Sequence, residues 1–277
     1  MAFSIKKAPQ SSWRFELKYR LTYQQYYQVR SALAPYMEPD DYSRVDPYLV
    51  RSLYFDTFNF QAYHEKIQGD FGRIKIRLRT YDSSPAKKPP VRVELKTRRG
   101  EAMEKFNTFV TSGECLEFLD TWHWPNSQGS PVLLEFERLV HLRHLRPKIL
   151  VQYQREGLQC RGRENLRVTF DHNVQSAGAA SLFPAEEVFF RSQTPSTVIF
   201  EIKCRIEKPL WLTNIIKKHS LKYVANSKYT QGIEIARPDV TSPGWNPGYR
   251  DPSAPAARHI WEDYRRKLPF ENRERGL

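Results

Sequence analysis

The stretch GRIKIRLRTYD, residues 72 to 82, alternates between apolar and basic side chains. Successive side chains of a β-strand point to opposite faces, so Ile74, Ile76 and Leu78 share one face of an extended chain. The other face is basic, with Lys75, Arg77 and Arg79. Like charges on neighbouring strands repel, so this pattern predicts a strand whose basic face needs a compensating negative charge.

The composition indicates a globular protein with an anionic partner. Of 277 residues 40% are hydrophobic, enough for one large domain, and 44 Lys and Arg against 31 Asp and Glu give a net charge of +13. This charge fits a nucleic acid, a membrane surface or a phosphorylated molecule. Cys115, Cys160 and Cys204 stand far apart, so no disulfide framework is expected. Without an apolar leader or a long apolar run, we expect a soluble cytoplasmic protein.

The order of the predicted elements indicates an α+β fold with a mainly antiparallel sheet. The three strands between residues 72 and 110 form a predicted meander, and Thr22 with Gln25 forms a capping box that begins a helix. Residues 173 to 196 carry little pattern and are read as an excursion. We divide the chain into a polar leader (1–12), a folded domain (13–236) and a Pro-rich linker or disordered tail (237–277).

The bias of the opening stretch recurs on other strands. Five charged faces hold eleven cations against four carboxylates: Glu16, Lys18 and Arg20; Lys75, Arg77 and Arg79; Arg92, Glu94, Lys96 and Arg98; Arg167, Thr169 and Asp171; Glu201, Lys203 and Arg205. The opposite faces are almost entirely apolar. Two arrangements fit this pattern: a sandwich whose charged faces meet water, or a barrel with charge inside. The pattern alone leaves both open.

Short motifs along the chain occur in the order of a known family. They are Glu16-x-Lys18-Tyr19, Tyr54-Phe55-Asp56-Thr57, Lys75-x-Arg77-x-Arg79-x-Tyr81, Glu94-Leu95-Lys96, Tyr153-x-Arg155, Arg167-x-Thr169-x-Asp171, Glu201-x-Lys203 and Ser227-Lys228-Tyr229. Over residues 13 to 236 the chain resembles the catalytic domain of the vacuolar transporter chaperone (VTC), the polyphosphate polymerase branch of the triphosphate tunnel metalloenzymes. Many tunnel enzymes begin E-x-E-x-K, whereas Arg14 stands at the first Glu here, which fits the polymerase branch better.

The resemblance implies a closed antiparallel β-barrel, the triphosphate tunnel, with a charged interior and helices packed outside. The residues implied to bind phosphate and act in catalysis are Lys18, Arg77, Arg79, Lys96, Arg155, Arg167 and Lys228. Further substrate-binding candidates are Lys75, Lys105, Lys203, Tyr81 and Ser227. The metal candidates are Glu201, Glu16 and Glu94, and the implied cofactor is Mn²⁺ or Mg²⁺.

The activity that the resemblance implies is transfer of the γ-phosphate of ATP onto a polyphosphate chain, with ATP and inorganic polyphosphate as ligands. The alternatives are a tunnel triphosphatase, in which Glu16 or Glu94 would activate water, and a non-catalytic polyphosphate-binding module. Nucleic-acid binding is not expected, because aromatic residues do not interleave with the cations on one exposed face. Relatives occur in larger membrane assemblies, so a membrane-protein partner is an expectation that no sequence feature supports. The oligomeric state is left open.

Two interpretations concern groups beside the predicted tunnel. Asp56 and Asp171 are expected to pair with nearby arginines, since buried charges are usually paired. No histidine is expected to bind a metal, because none has ligand spacing matched to a carboxylate cluster; those considered are His64, His123, His141 and His144.

Overall fold

The computed structural model describes residues 15–100, 102–161, 163–204 and 208–241. The predicted leader, Arg205 and the predicted tail from residue 242 onward lie outside the described residues. The first residues of that predicted tail form a short helix at Pro238–Thr241. No helix within the described ranges has the length and hydrophobicity needed to span a bilayer.

The described residues form an α+β structure around one antiparallel sheet. Its strands are β1 (Phe15–Thr22), β2 (Met37–Pro39), β3 (Tyr48–Asp56), β4 (Gly72–Thr80), β5 (Val91–Arg99), β6 (Ala102–Val110), β7 (Arg146–Cys160), β8 (Arg163–Gly178), β9 (Arg191–Ser192) and β10 (Thr197–Cys204). The α-helices are α1 (Tyr23–Leu33), α2 (Gln61–Ile67), α3 (Ser112–Thr121), α4 (Pro131–Leu142), α5 (Leu210–Lys218), α6 (Lys228–Ala236) and α7 (Pro238–Thr241).

The strand order is β1-β10-β8-β7-β3-β4-β5-β6, with β2 paired to β7 and β9 to β8. The predicted meander β4-β5-β6 is therefore confirmed. Among the described residues no backbone pairing joins the end strands β1 and β6. The hydrogen bonds of the sheet therefore do not close it into the predicted barrel. Strand β1 nevertheless lies near β5, the neighbour of the other end strand, since the charges of Glu16 and Lys18 act on Lys96.

Strand β8 runs farther than the sequence pattern indicates, to Gly178, and takes up the start of the predicted excursion. Val174 and Ser176 share the inner face of this extension and are both buried. Gln193 Nε2 donates a hydrogen bond to Ser176 Oγ at 2.5 Å. The buried Ser176 hydroxyl therefore has a hydrogen-bond partner. A polar residue on a buried face breaks the apolar alternation, so this part of the strand is not predicted from the sequence.

Two apolar clusters cover the outer face of the sheet, defined here as the face opposite the basic side chains. Helices α3 and α4 pack on β4 and β5 through Phe118, Phe136 and Leu139, all fully buried. Helices α1 and α5 pack on β8 and β10 through Val29 and Leu212. Burial of each large apolar side chain stabilises the fold by about 1.5–3 kcal/mol. The predicted capping box of α1 is confirmed, with both reciprocal hydrogen bonds formed.

Helix α6 lies on the inner face, which differs from the expectation that helices pack outside. Its Tyr229 and Ile233 join a third cluster with inward side chains of β3, β7, β8 and β10. Gly232 permits this approach, because a Cβ there would lie 2.9 Å from Ile149 Cγ2 and 3.1 Å from Ser176 Oγ. The inner face thus has an apolar half covered by α6 and a charged half beside the helix's first turn.

Candidate anion-binding cavity

The charged strand faces surround the first turn of α6. Four strands each contact this turn, or the two residues before it, through one side chain. Lys18 Nζ of β1 donates to Asn226 O (3.2 Å), and Lys75 Nζ of β4 donates to Ser227 Oγ (3.5 Å). Within the turn, Lys228 Nζ donates to Asp171 Oδ2 of β8 (2.6 Å), and Tyr229 OH donates to Asp56 Oδ2 of β3. Strands far apart in the sheet order can reach one turn only if the sheet curves around it. The charged faces therefore converge on one interior region, called the cavity below, while the apolar faces carry the outer helices.

One wall of the cavity is organised by Glu94, whose side chain is 1% exposed. Arg77 and Lys105 contact its carboxylate directly, and Arg79 and Arg92 each lie 3.9 Å from it. Burial alone would raise the pKa of Glu94, but the charges of Arg77, Arg79 and Lys105 outweigh it and hold the pKa well below its usual range. Glu94 is therefore an ionised carboxylate that orients four cations, and it is a weak proton acceptor.

A second group of charges is organised by Glu201, on the β1 and β10 side. Its carboxylate lies 3.1 Å from Lys18 Nζ, 3.2 Å from Lys203 Nζ and 3.6 Å from Arg155 Nη2. Burial opposes ionisation, but Lys203, Lys18 and Arg155 keep the pKa of Glu201 well below its ordinary value. Burial likewise disfavours the charged form of Lys18, yet Glu201 and Glu16 raise its pKa. Glu201 and Lys18 are therefore both charged at neutral pH.

The predicted metal carboxylates fall into two places. Glu16 and Glu201 are brought together, because Lys18 Nζ lies 2.9 Å from Glu16 Oε1 and 3.1 Å from Glu201 Oε1. Glu94 stands apart from them, and no third carboxylate or imidazole of the described chain joins the pair at ligand distance. Thr169 is directly opposite Glu201 in the sheet, and its buried Oγ1 has no hydrogen-bond partner among the residues that the structure describes. Two carboxylates and an orphaned hydroxyl are hard oxygen donors, so this pair fits Mg²⁺ or Mn²⁺.

The floor of the cavity contains a bidentate pair. Arg155 donates to both oxygens of Asp171, from Nε at 2.6 Å and from Nη2 at 2.8 Å, so the expected pairing of Asp171 with arginine is correct. Burial acts to raise the pKa of Asp171, but Arg155 and Lys228 lower it to about 2. The same expectation is wrong for Asp56, which accepts from Tyr229 and from the backbone N–H groups of residues 57, 62 and 63. These donors replace an arginine.

Arg167 has a partner that the sequence pattern does not predict. Its Nη2 donates to Asp40 Oδ2 at 2.5 Å and to Tyr48 OH at 3.2 Å. Asp40 reaches this position over Gly157, where an added Cβ would lie 2.0 Å from the Asp40 carboxylate. A glycine inside a strand is the one sequence signal for such a close approach.

Two of the predicted lysines have few negative partners to stabilise their charged form. Burial lowers the pKa of Lys75 to about 7 and also lowers the pKa of Lys96. Lys96 forms no ion pair with any described residue, and Lys75 Nζ lies 4.9 Å from the centre of the Tyr229 ring. Positive groups in such a site gain from an added anion, because the anion supplies the missing partner.

The remaining predicted residues have structural contacts. Tyr81 packs against Tyr48, with ring centres 5.9 Å apart, and lies under the Arg92 guanidinium at 5.8 Å. Ser227 is the N-cap of α6 and accepts from Thr230 N at 3.4 Å. Lys203 contacts only Glu201 among the described ion pairs. Tyr81 and Ser227 therefore shape the cavity edges.

Comparison with known proteins gives one family and two distant structural similarities. A crystal structure from Bacillus halodurans, described as a candidate adenylate cyclase, is 15% identical, covers 76% of this chain and 92% of its own, and has a TM-score of 0.48. The Mimivirus capping enzyme triphosphatase is 9% identical, covers 75% of this chain and 86% of its own, and has a TM-score of 0.29. At these values neither supports a conclusion about function.

No curated protein is significantly similar to this chain. The family comparison is decisive instead, because the model of the VTC domain matches residues 13–237. That range contains every strand and helix that surrounds the cavity. The chain therefore belongs to the VTC domain family.

Proposed function

We propose that this chain is a metal-dependent polyphosphate polymerase that transfers the γ-phosphate of ATP onto a polyphosphate chain held in the cavity. The observation that carries the proposal is the convergence of cations from β1, β4, β5, β7, β8 and β10 on one cavity, with too few carboxylates to neutralise them. Membership in the VTC family supports a polyphosphate or triphosphate ligand. The predicted cytoplasmic location is part of this proposal.

The chemistry accounts for a row of cations rather than a single pocket. A polyphosphate chain carries about one negative charge per phosphorus, and phosphoryl transfer depends mainly on positioning and on stabilisation of charge on the transferred group. Arginines bind phosphate oxygens with paired N–H groups, and lysines act as point charges. In the proposal these roles belong to Lys18, Arg77, Arg79, Lys96, Arg155, Arg167 and Lys228, with Lys75, Lys105 and Lys203 beside them.

Glu201 and Glu16 would hold the divalent cation, Mn²⁺ or Mg²⁺, with Glu94 as the weaker candidate because it stands apart. When bound, the metal would supply positive charge that stabilises the phosphate oxygens. Lys18 now lies between the two carboxylates, so its ammonium must shift when a cation binds there. The freed ammonium then becomes available to a phosphate. The closed tunnel is the substrate-bound form in this proposal, since an anion would relieve the repulsion between Lys96 and Lys18.

A triphosphatase is the second candidate, and the state of Glu94 argues against its simplest form. A general base should have a pKa near the working pH, whereas the charges of Arg77, Arg79 and Lys105 hold the pKa of Glu94 far below it. Glu16 is the remaining activator for water. A growing chain end is already ionised near neutral pH, so the polymerase needs no such base. A non-catalytic binding module is the third candidate.

The test is incubation of the purified chain with ATP and Mn²⁺, followed by electrophoresis for long-chain polyphosphate. The proposal expects long chains from the wild type and none from Glu201→Gln. Release of free phosphate alone would favour the triphosphatase. Calorimetry with tripolyphosphate identifies the binding module: unaltered binding by Glu201→Ala, together with no turnover by the wild type with either metal, would replace the polymerase.

A further inference from the structure

The outer surface carries a cluster of metal-ligating side chains that the proposed function does not use. Glu137 and His141 are four residues apart on α4 and therefore share one helix face. His123, from the loop between α3 and α4, lies against them, with its Nδ1 2.9 Å from Glu137 Oε1. The ligand atoms of the three residues all lie within 4.8 Å of one another. The sequence predicts no metal-binding histidine, because spacing along the chain does not reveal a contact across this loop.

The backbone that presents these side chains is anchored in the core. Trp124 is buried and stacks on Phe118 with ring centres 4.0 Å apart. Thr121 Oγ1 accepts from His123 N at 3.2 Å and donates to Glu117 O at 2.8 Å. The loop between α3 and α4 is therefore fixed on both sides of His123, although the His123 side chain itself is 67% exposed. An exposed ligand on a fixed backbone can adjust its rotamer without moving the fold.

The surrounding hydrogen bonds orient two of the three groups. His141 Nε2 lies 3.0 Å from the Trp122 carbonyl oxygen, so this nitrogen carries the proton and Nδ1 keeps its lone pair. Trp124 N donates to Glu137 Oε2 at 2.9 Å, which leaves Oε1 directed at His123. Ligating histidines commonly donate their other ring N–H to a backbone carbonyl, and ligating carboxylates are commonly held by a second hydrogen bond. The imidazole rings of His123 and His141 are near-parallel with centres 4.9 Å apart.

We propose that His123, Glu137 and His141 bind a divalent transition metal of the Zn²⁺ class. Two imidazoles and one carboxylate are a common zinc ligand set and leave a further coordination position for water. The site is outside the cavity, because α3 and α4 pack on the face of the sheet opposite the cations. The two sites should also prefer different metals, because imidazole nitrogen favours Zn²⁺, whereas the oxygen donors Glu16 and Glu201 favour Mg²⁺ or Mn²⁺.

Isothermal titration of the full chain with ZnCl₂, in buffer containing excess Mg²⁺ to fill oxygen-donor sites, tests the site. We expect one Zn²⁺ per chain at micromolar concentration and loss of binding in the double variant of His123→Ala and His141→Ala. Affinity should be weaker by about tenfold or more in Glu137→Gln, since losing an outer-shell partner of a ligand already costs about 10–100-fold. Zn²⁺ should also raise the melting temperature of the wild type and not that of the double variant.

The matched control is His144→Asn. His144 is exposed just after α4 at a φ of 50°, a conformation that asparagine tolerates, and it is outside the cluster. This variant should bind Zn²⁺ like the wild type. Circular dichroism checks that the double variant is folded, as expected for two exposed side chains. Equal Zn²⁺ affinity in the folded double variant and the wild type, or no binding by the wild type, would overturn the site.

Discussion

Replacement of the buried carboxylate at Glu94 by an amide should destabilise the protein in a way that an added polyanion reverses. Glu94→Gln keeps the shape of the side chain and removes the charge that Arg77, Arg79, Arg92 and Lys105 share. Removing one partner of a buried ion pair costs about 3–5 kcal/mol. The side chains of Arg77 and Lys105 are 22% and 41% exposed, so water compensates part of the loss and the lower end applies. About 3 kcal/mol corresponds to about 6–12 °C in melting temperature for a domain of this size.

The assay is thermal unfolding with and without tripolyphosphate. In Glu94→Gln the released cations lack a carboxylate, so tripolyphosphate should bind more tightly and raise the melting temperature more than in the wild type. Glu104→Gln is the matched control, because Glu104 is an exposed residue on the outward side of β6. It should change stability by no more than about 0.5 kcal/mol. Equal melting temperatures for Glu94→Gln and the wild type, or equal gains from tripolyphosphate, would refute the reasoning.

Three further predictions follow from single contacts. Gly232→Ala should lower the free energy of unfolding, measured in urea. Overpacking against Ile149 at 2.9 Å costs about 1–3 kcal/mol, whereas the gain in helix propensity is at most about 1 kcal/mol. A more stable variant would contradict the close approach of α6. Lys75 has a pKa of about 7 without ligand, and a bound anion favours its charged form, so tripolyphosphate affinity should fall by up to about tenfold per pH unit above pH 7. In Lys75→Arg the side chain stays charged, so calorimetry should show a shallower fall of tripolyphosphate affinity with pH. The ionisation of tripolyphosphate affects both proteins equally and cancels in the comparison. Identical slopes in the two proteins would contradict the titration of Lys75. Lys96→Ala should weaken tripolyphosphate binding about tenfold or more, as for a lost charged hydrogen bond, whereas Lys217→Ala on the exposed side of α5 should not.

Local pattern predicted the strands and the identity of the charged faces well. The alternation in residues 72–82 correctly separates Ile76, in the outer core, from Arg77, in the cavity. The capping box at Thr22 and the meander β4-β5-β6 were also readable, since both depend on neighbours in the chain. Periodicity reports which side chains share a face, but it carries no information on the direction in which a sheet curves. For that reason the family resemblance was needed to place the charge inside.

The parts that sequence reasoning missed involve residues far apart in the chain. Asp40 meets Arg167 across 127 positions, and only the absence of a side chain at Gly157 hints at the contact. Helix α6 has an ordinary amphipathic pattern, which is the same whether its apolar side covers the outer or the inner face of a sheet. The hydrogen bonds of the sheet do not close it into a barrel. The alternation of side chains could not predict this, because it does not show which strands pair.

The pairing of β1 with β10 has a consequence for synthesis of the chain. Phe15 lies opposite Cys204, so the first strand acquires its partner only after nearly all of the sheet has been made. At about 5–20 residues per second, a ribosome needs on the order of ten to forty seconds to cover that separation. During this interval the apolar side of β1 has no sheet to join, and early folding must begin from the local hairpins instead. A nascent chain stalled before residue 197 should therefore expose an unpaired, aggregation-prone strand near its start.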